Sequence, residues 1–356
     1  MRAPGSTRIP NTEISYQLVG LAIVLIGALL FTACARDEAP PPPAPSPTVA
    51  ALRDGDARFF LARRNVIENI TLGGEQSDMV RLDGNVNILE MALSPNGSQL
   101  AFVVELPAYT DENGELDFGA DLYVSDIDGG NLRLVAEHSA VGDYFEAPAW
   151  LNDTTLIVGW RGLDAGGSFS RIETVTLDTG TTDVVLTDAA MGNLSPDRLS
   201  IVYTAVDPQT RVQRLVIEGL ATDDEPRVLV DENAGLALFS AIAFSPDESQ
   251  IAFAAVDLVG AAPPPMPPPR GAFAVPALST THPFAQDVWL INVDGTGLHR
   301  VADIAENMPS VSWSADGRSL YVLGPGYLWR LDPATGDAEM LRESGERGAI
   351  IWLEGD

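Results

Sequence analysis

The chain has 356 residues, of which 50 are acidic and 21 basic, for a formal net charge of −29. Every basic residue is Arg and Lys is absent. A surface so acidic repels nucleic-acid phosphates and anionic lipid and attracts cations or basic partner patches, and a lone Cys excludes an internal disulfide. A GC-rich genome accounts for the missing Lys without selection; adaptation to salt is the alternative.

At the start of the chain, Arg2 and Arg8 precede an uncharged apolar run, Leu18 to Ala33. The run has the length of a signal h-region and is short for a bilayer span. It ends in Phe31-Thr32-Ala33-Cys34, with small residues before the only Cys. This resembles a bacterial lipoprotein lipobox, with Phe31 in place of the usual Leu, Val or Ile. The resemblance implies a signal peptide over residues 1–33 and lipidation of Cys34. The alternative is an uncleaved signal anchor, and both place the rest of the chain outside the cytoplasm, held to a membrane, in the periplasm or at the cell surface. Residues 34–56 then form a linker whose Ala39 to Thr48 stretch carries four consecutive prolines. As polyproline, at ~3 Å per residue, that stretch lifts the remaining C-terminal part of the chain about 30 Å from the bilayer; a disordered tether gives the same topology.

From residue 57 onward one phrase recurs, a polar turn followed by an apolar strand. It reads Ser94-Pro95-Asn96-Gly97 then Leu100-Ala101-Phe102, Ser195-Pro196-Asp197 then Ile201-Val202-Tyr203, Ser245-Pro246-Asp247 then Ile251-Ala252-Phe253, and Ser314-Ala315-Asp316-Gly317 then Leu320-Tyr321-Val322. Pro presets a turn dihedral, Asp or Asn accepts backbone hydrogen bonds, and Gly takes the positive φ of a tight reversal. A degenerate copy, Ala149-Trp150-Leu151-Asn152-Asp153 then Leu156-Ile157-Val158, lacks Pro and Gly. Arg198 and Glu248 replace Gly in two other copies, so those hairpins are expected to adopt other turn types. A second hairpin follows each first one, as in Leu122 to Gly129 with Leu132 to Val135, and Val288 to Gly295 with Leu298 to Val301.

Two hairpins per repeat make a four-stranded blade, and five such units are visible. A sixth is split between the chain ends: Ala349 to Leu353 match a first strand, and Phe59 to Ala62, Val66 to Leu72 and Met79 to Leu82 supply the other three. The expected fold is therefore all-β, a six-bladed β-propeller over residues 57–356 whose terminal strands share one blade, so that the ring has no open edge. These hairpin phrases resemble the WD-type β-propeller repeat of the TolB family over roughly the same residues. The resemblance specifies a blade and implies an interaction module in the cell envelope; it names no catalytic residue.

Two insertions interrupt the repeat. Six blades of about 42 residues need about 250, and about 300 are present. Pro107 to Ala120 and Leu258 to Gln286 carry the excess, each between the second and third strands of its blade. Those connections share the face of the inter-blade links, and the two blades stand three apart in a ring of six. The candidate binding face therefore comprises Tyr109, Asp111, Glu112, Glu115, Asp117 and Phe118 from one insertion and Arg270, Phe273, His282 and Phe284 from the other. The run Pro263 to Pro269 is extended and preordered, which suits docking. Loop growth without a partner is the alternative.

Few residues point to chemistry. His138, His282 and His299 have no metal-ligand spacing, and no nucleophile elbow occurs. Asp126-x-Asp128-Gly129-x-Asn131 and Asp111-x-Asn113-x-Glu115-x-Asp117 compare with calcium loops. The first lacks a bidentate Glu twelve positions on, and the second has Gly114 at its fourth place and Leu122 at its twelfth. No metal, cofactor or catalytic residue is assigned. The leading expectation is a non-enzymatic module for an envelope protein, with no nucleic-acid partner and with the membrane reached through lipid on Cys34. The alternative is a glycan or small-molecule sensor, for which Tyr109, Phe118, Phe145, Phe169 and Phe273 are the aromatics expected to be exposed. A carbohydrate-active enzyme with paired carboxylates is the third reading.

Overall fold

The computed structural model describes residues 59–71, 76–110, 116–164, 167–221, 225–259, 285–343 and 347–353. The leader, the linker, and the insertion residues Asp111, Glu112, Glu115, Arg270, Phe273, His282 and Phe284 lie outside the described residues.

The described strands form six antiparallel four-stranded units. In the closing unit β26 (Gly348–Trp352) pairs with β1 (Phe59–Arg63), which continues to β2 (Val66–Ile70) and β3 (Gln76–Arg81). The second unit holds β4 (Asn87–Leu93), β5 (Gln99–Glu105), β8 (Ala120–Asp126) and β9 (Arg133–Ala136). Between β5 and β8 a small hairpin pairs β6 (Tyr109–Thr110) with β7 (Leu116–Asp117). The third has β10 (Tyr144–Asn152), β11 (Thr155–Asp164), β12 (Gly167–Thr176) and β13 (Thr182–Thr187), and touches the second sheet through one parallel pair, Tyr144 with Ala120. The fourth has β14 (Ala189–Leu194), β15 (Ser200–Val206), β16 (Gln213–Gly219) and β17 (Arg227–Val230). The fifth comprises β18 (Leu236–Phe244), β19 (Gln250–Asp257), β20 (Ala285–Asn292) and β21 (His299–Asn307). The sixth runs β22 (Ser310–Trp313), β23 (Leu320–Leu323), β24 (Tyr327–Leu331) and β25 (Ala338–Glu343).

The first strands of the units contact one another in the order β26, β4, β10, β14, β18, β22, and β22 returns to β26. Hydrogen bonds tie this inner ring together. Trp150 Nε1 donates to the Ala92 carbonyl at 3.1 Å, Asn193 Nδ2 to Ile242 at 2.6 Å, and Trp313 Nε1 to Ala243 at 3.2 Å. Between β22 and β26 the Ser310 and Ser312 hydroxyls accept from the Ile350 and Trp352 amides at 3.1 and 2.8 Å.

Each unit packs face to face on its neighbours, so its second strand is covered on both sides. That is why Leu100 to Val104 and Ile251 to Ala255 read as unbroken apolar runs, without alternation, and why all are buried. Each hydrophobic cluster is shared by two adjacent units. Phe60, Ile67, Ile88 and Phe102 join the first and second; Val124, Phe145, Trp150 and Val158 join the second and third. The series ends with Phe59, Leu61, Tyr321 and Leu328, which join the sixth back to the first.

The recurrent turn is held by one hydroxyl. Ser94, Ser195, Ser245 and Ser314 each donate to the Asn or Asp two residues on, at 2.6–2.9 Å, and each accepts the amide five residues on at 2.9–3.0 Å. The expectation of different turn types at Arg198 and Glu248 is not met. Their φ values of 60° and 59° match the 70° of Gly97 and the 68° of Gly317. A left-handed residue with a side chain costs about 1–2 kcal/mol, and here both side chains reach the preceding unit. Arg198 Nε donates to the Trp150 carbonyl at 3.1 Å, and Glu248 Oε1 accepts the Asp197 amide at 2.8 Å.

Candidate functional site at the channel mouth

The inner strands surround a channel with two different ends. The end beside the Ser-Pro-Asp-Gly turns, here the turn face, has a cavity of about 400 Å³ lined by Leu93, Trp150, Phe244 and Trp313, with Arg198 as its charged residue. The other end, the link face, has a cavity of about 120 Å³. Both insertions leave the propeller there: Glu105, at the end of β5, pairs with Asn87 at the start of β4, and Asp257 pairs with Leu236 at the start of β18.

Of the insertion residues read from sequence, Tyr109, Asp117 and Phe118 are described and come together at the base of the first insertion. The Tyr109 hydroxyl, half exposed, donates to Asp117 Oδ2 at 2.8 Å. Asp117 Oδ1 lies 3.2 Å from His138 Nε2, and His138 Nδ1 lies 2.7 Å from Asp121 Oδ1. The Gly142 amide donates to the Phe118 carbonyl at 2.8 Å. Burial alone would lower the His138 pKa, but the hydrogen bonds to Asp121 and Asp117 outweigh it and raise it. The Tyr109 and His138 bonds in turn hold Asp117 below its ordinary value. His138 therefore fastens the insertion to the β9–β10 link as a satisfied histidine.

Phe145 is corrected from exposed to buried, at 3% exposure, where it packs on Trp160 at 5.4 Å between ring centres. Phe169 is partly covered, with the Arg171 guanidinium 4.8 Å from its ring. Asp126 to Asn131 form a hairpin turn: Asn131 Nδ2 donates to Asp126 at 2.6 Å and the Gly130 amide to Asp128 at 2.8 Å. Among the described residues no group of three or more His, Cys, Asp or Glu side chains is placed to hold a metal.

The residues that line the link-face mouth carry no motif in the sequence. Four inner strands have a bulge near their link-face end, between Ile88 and Glu90, Glu146 and Ala149, Ala190 and Asn193, and Ser240 and Ala243. Ala147, Met191 and Ala241 in these bulges, and Met308 just before β22, have φ between 46° and 52°. Each is a strained position for a residue with a side chain, and all four line one cavity.

The bulges put charge on the mouth. Glu90 points from β4 to accept the Ala147 amide through Oε2. Burial, then the neighbouring Glu146, push its carboxyl up to about 7, against the Ala147 bond and the charges of Arg347 and Arg161. Glu146 is itself buried, is raised by that burial, and is held by Arg161 Nε at 2.8 Å. Arg347, just before β26, lines the same cavity as Glu90. The rest of the rim is mainly apolar, with Pro148, Met191, Ile242, Met308 and Pro309.

Neither a protein-family model nor a curated protein sequence matches the chain. Solved structures do match. TolB from Acinetobacter baumannii aligns at 14% identity and a TM-score of 0.56, over 84% of this chain and 67% of its own. The tricorn protease aligns at 15% identity and a TM-score of 0.53, over 84% of this chain but only 26% of its own, so this chain spans about a quarter of that enzyme. At such identities the likeness concerns architecture, and in its fold the chain is a TolB-like β-propeller.

Proposed function

We propose that the chain is a lipid-anchored, extracytoplasmic β-propeller that serves as a protein-interaction module of the cell envelope, with the link face as its binding face. The observation that carries this reading is the link-face mouth, where strained bulges from successive units bring an apolar rim, Glu90 and Arg347 to one cavity. Both insertions attach at the same face. The described chain begins at the opposite one, since Phe59 pairs with Trp352 at the turn-face end of β26.

The other readings fare less well. The link-face cavity of about 120 Å³ admits a single chemical group, whereas sites for whole small molecules run to about 300–1,000 Å³, a size that the turn-face cavity of about 400 Å³ reaches. Hydrolysis by paired carboxylates needs both groups to reach substrate, and Glu146 is buried against Arg161. At the link face these points favour a partner that covers the face and inserts one group over a small-molecule sensor or a glycosidase.

Affinity capture from detergent-solubilised membranes tests the module. The intact protein is expected to recover an envelope protein that a variant lacking residues 262–281 does not, with the melting temperature of the variant little changed. Equal capture by both, or a variant that melts much earlier, contradicts the reading of that segment. The anchor has its own test: Cys34→Ala is expected to carry no lipid, and normal lipidation of that variant rejects the assignment.

A further inference from the structure

We propose that the link-face mouth holds a carboxylate of the partner, carried at the end of an apolar segment as at a peptide C terminus, with Arg347 as the group that receives it. The inference deepens the interaction-module reading and rests on the link face being the binding face.

Charge inventory at the mouth supports this chemistry. Arg161 is engaged by Glu146, while Arg347 makes no hydrogen bond or ion pair among the described residues and acts on Glu90 only through its field. A guanidinium at a cavity, with no partner among the described residues, is a ready receptor for a carboxylate, which it can grip with two parallel N–H bonds. The cavity is small enough to admit a chain end and little more. Its rim of Pro148, Met191, Ile242, Met308 and Pro309 suits apolar side chains just before that end, and Met adapts to irregular shapes.

Glu90 makes the site proton-linked. The groups facing it are the Ala147 amide, Glu146, Arg161 and Arg347. While Glu90 is ionised it competes for Arg347 and repels an incoming anion. Protonated, it leaves the Arg347 charge to the ligand. Because burial and Glu146 place its pKa near 7, carboxylate binding takes up a proton, and affinity rises as pH falls from 8 to 6 by up to about tenfold.

The test uses the detergent-solubilised full-length protein and two fluorescein-labelled peptides ending in Leu-Ala-Val, one with a free C-terminal carboxylate and one amidated, followed by anisotropy at pH 6 and pH 8. The acid is expected to bind, tighter at pH 6, and the amide about tenfold weaker or less. Arg347→Gln is expected to remove the preference for the acid, Arg347→Lys to restore part of it, and Glu90→Gln to abolish the pH dependence while keeping the pH 6 affinity. Equal binding of acid and amide, no binding of either at about 1 mM, or an unaltered Arg347→Gln variant overturns the proposal. If deletion of residues 262–281 abolishes partner capture while Arg347→Gln changes neither peptide nor partner binding, the carboxylate site fails and the module stands. If Arg347→Gln abolishes peptide binding yet the intact protein captures no partner, the module fails and the site stands.

Discussion

Truncation after Arg347, which removes β26, is expected to abolish cooperative folding of the whole propeller. That strand pairs with β1 along five residues, from Phe59 with Trp352 to Arg63 with Gly348. It buries Ala349 and Ile350, and its Ile350 and Trp352 amides donate to the hydroxyls of Ser310 and Ser312. Trp352 also stacks on Tyr321 at 4.7 Å between ring centres, with Phe59 at 6.3 Å. Burial of one Ile contributes about 2–3 kcal/mol, and a stacked aromatic about 0.5–1.5 kcal/mol beyond its buried area. Losing these together, with an edge of β1 laid bare, consumes most of the roughly 5–15 kcal/mol that stabilises a typical domain. Near-ultraviolet circular dichroism during heating gives the answer: a flat trace is expected. A cooperative melt close to that of the full chain would show that ring closure does not depend on β26.

The second large effect concerns Glu90. Its carboxyl titrates near 4.5 in an unfolded chain and about 7 in the fold. Below pH 4.5 it is neutral in both states and contributes no pH dependence. Between 4.5 and 7 the native state binds more protons than the unfolded one, so stability falls as pH rises, and above 7 the loss is complete. A shift of that size corresponds to a ceiling of about 3 kcal/mol, and partial exposure to the channel reduces it to about 2 kcal/mol. Glu90→Gln keeps an oxygen for the Ala147 amide without the charge. It is therefore expected to stabilise the protein by about 2 kcal/mol at pH 8 and to change little at pH 4. Urea unfolding at the two pH values measures this, and an equal effect at both would mean that the Glu90 charge is not what destabilises the fold.

The turn phrases and the apolar strands after them are legible in the sequence because a single Ser hydroxyl and its Asp or Asn partner dictate the reversal locally. The split unit is legible because Ala349 to Leu353 and the strands from Phe59 onward complement each other. The two turns with Arg198 and Glu248 mislead because what stabilises them is in the preceding unit, at Trp150 and Asp197. The mouth is illegible for a related reason. Its bulges are made by Ala147, Met191, Ala241 and Met308, which carry no mark of a left-handed backbone. Glu90 and Arg347 face one cavity only because the ring joins opposite ends of the chain. One signal is present nonetheless: Glu90 interrupts the apolar run Ile88 to Leu93, and a charge there needs a reason. His138 meets Asp121 through the β8–β9 pairing, in which Leu122 opposes Ala136. Spacing along the chain does not reveal that contact.

A partner seated on the link face slows hydrogen exchange there, which comparison of the propeller with and without its captured partner measures. Protection is expected along residues 87–91, 106–110, 137–147 and 307–310, at the link-face mouth and the base of the first insertion. The Ser-Pro-Asp-Gly turns at 94–98, 195–199, 245–249 and 314–318 are expected to exchange as before. Protection confined to those turns would place the partner on the opposite face and exclude the link face as its seat.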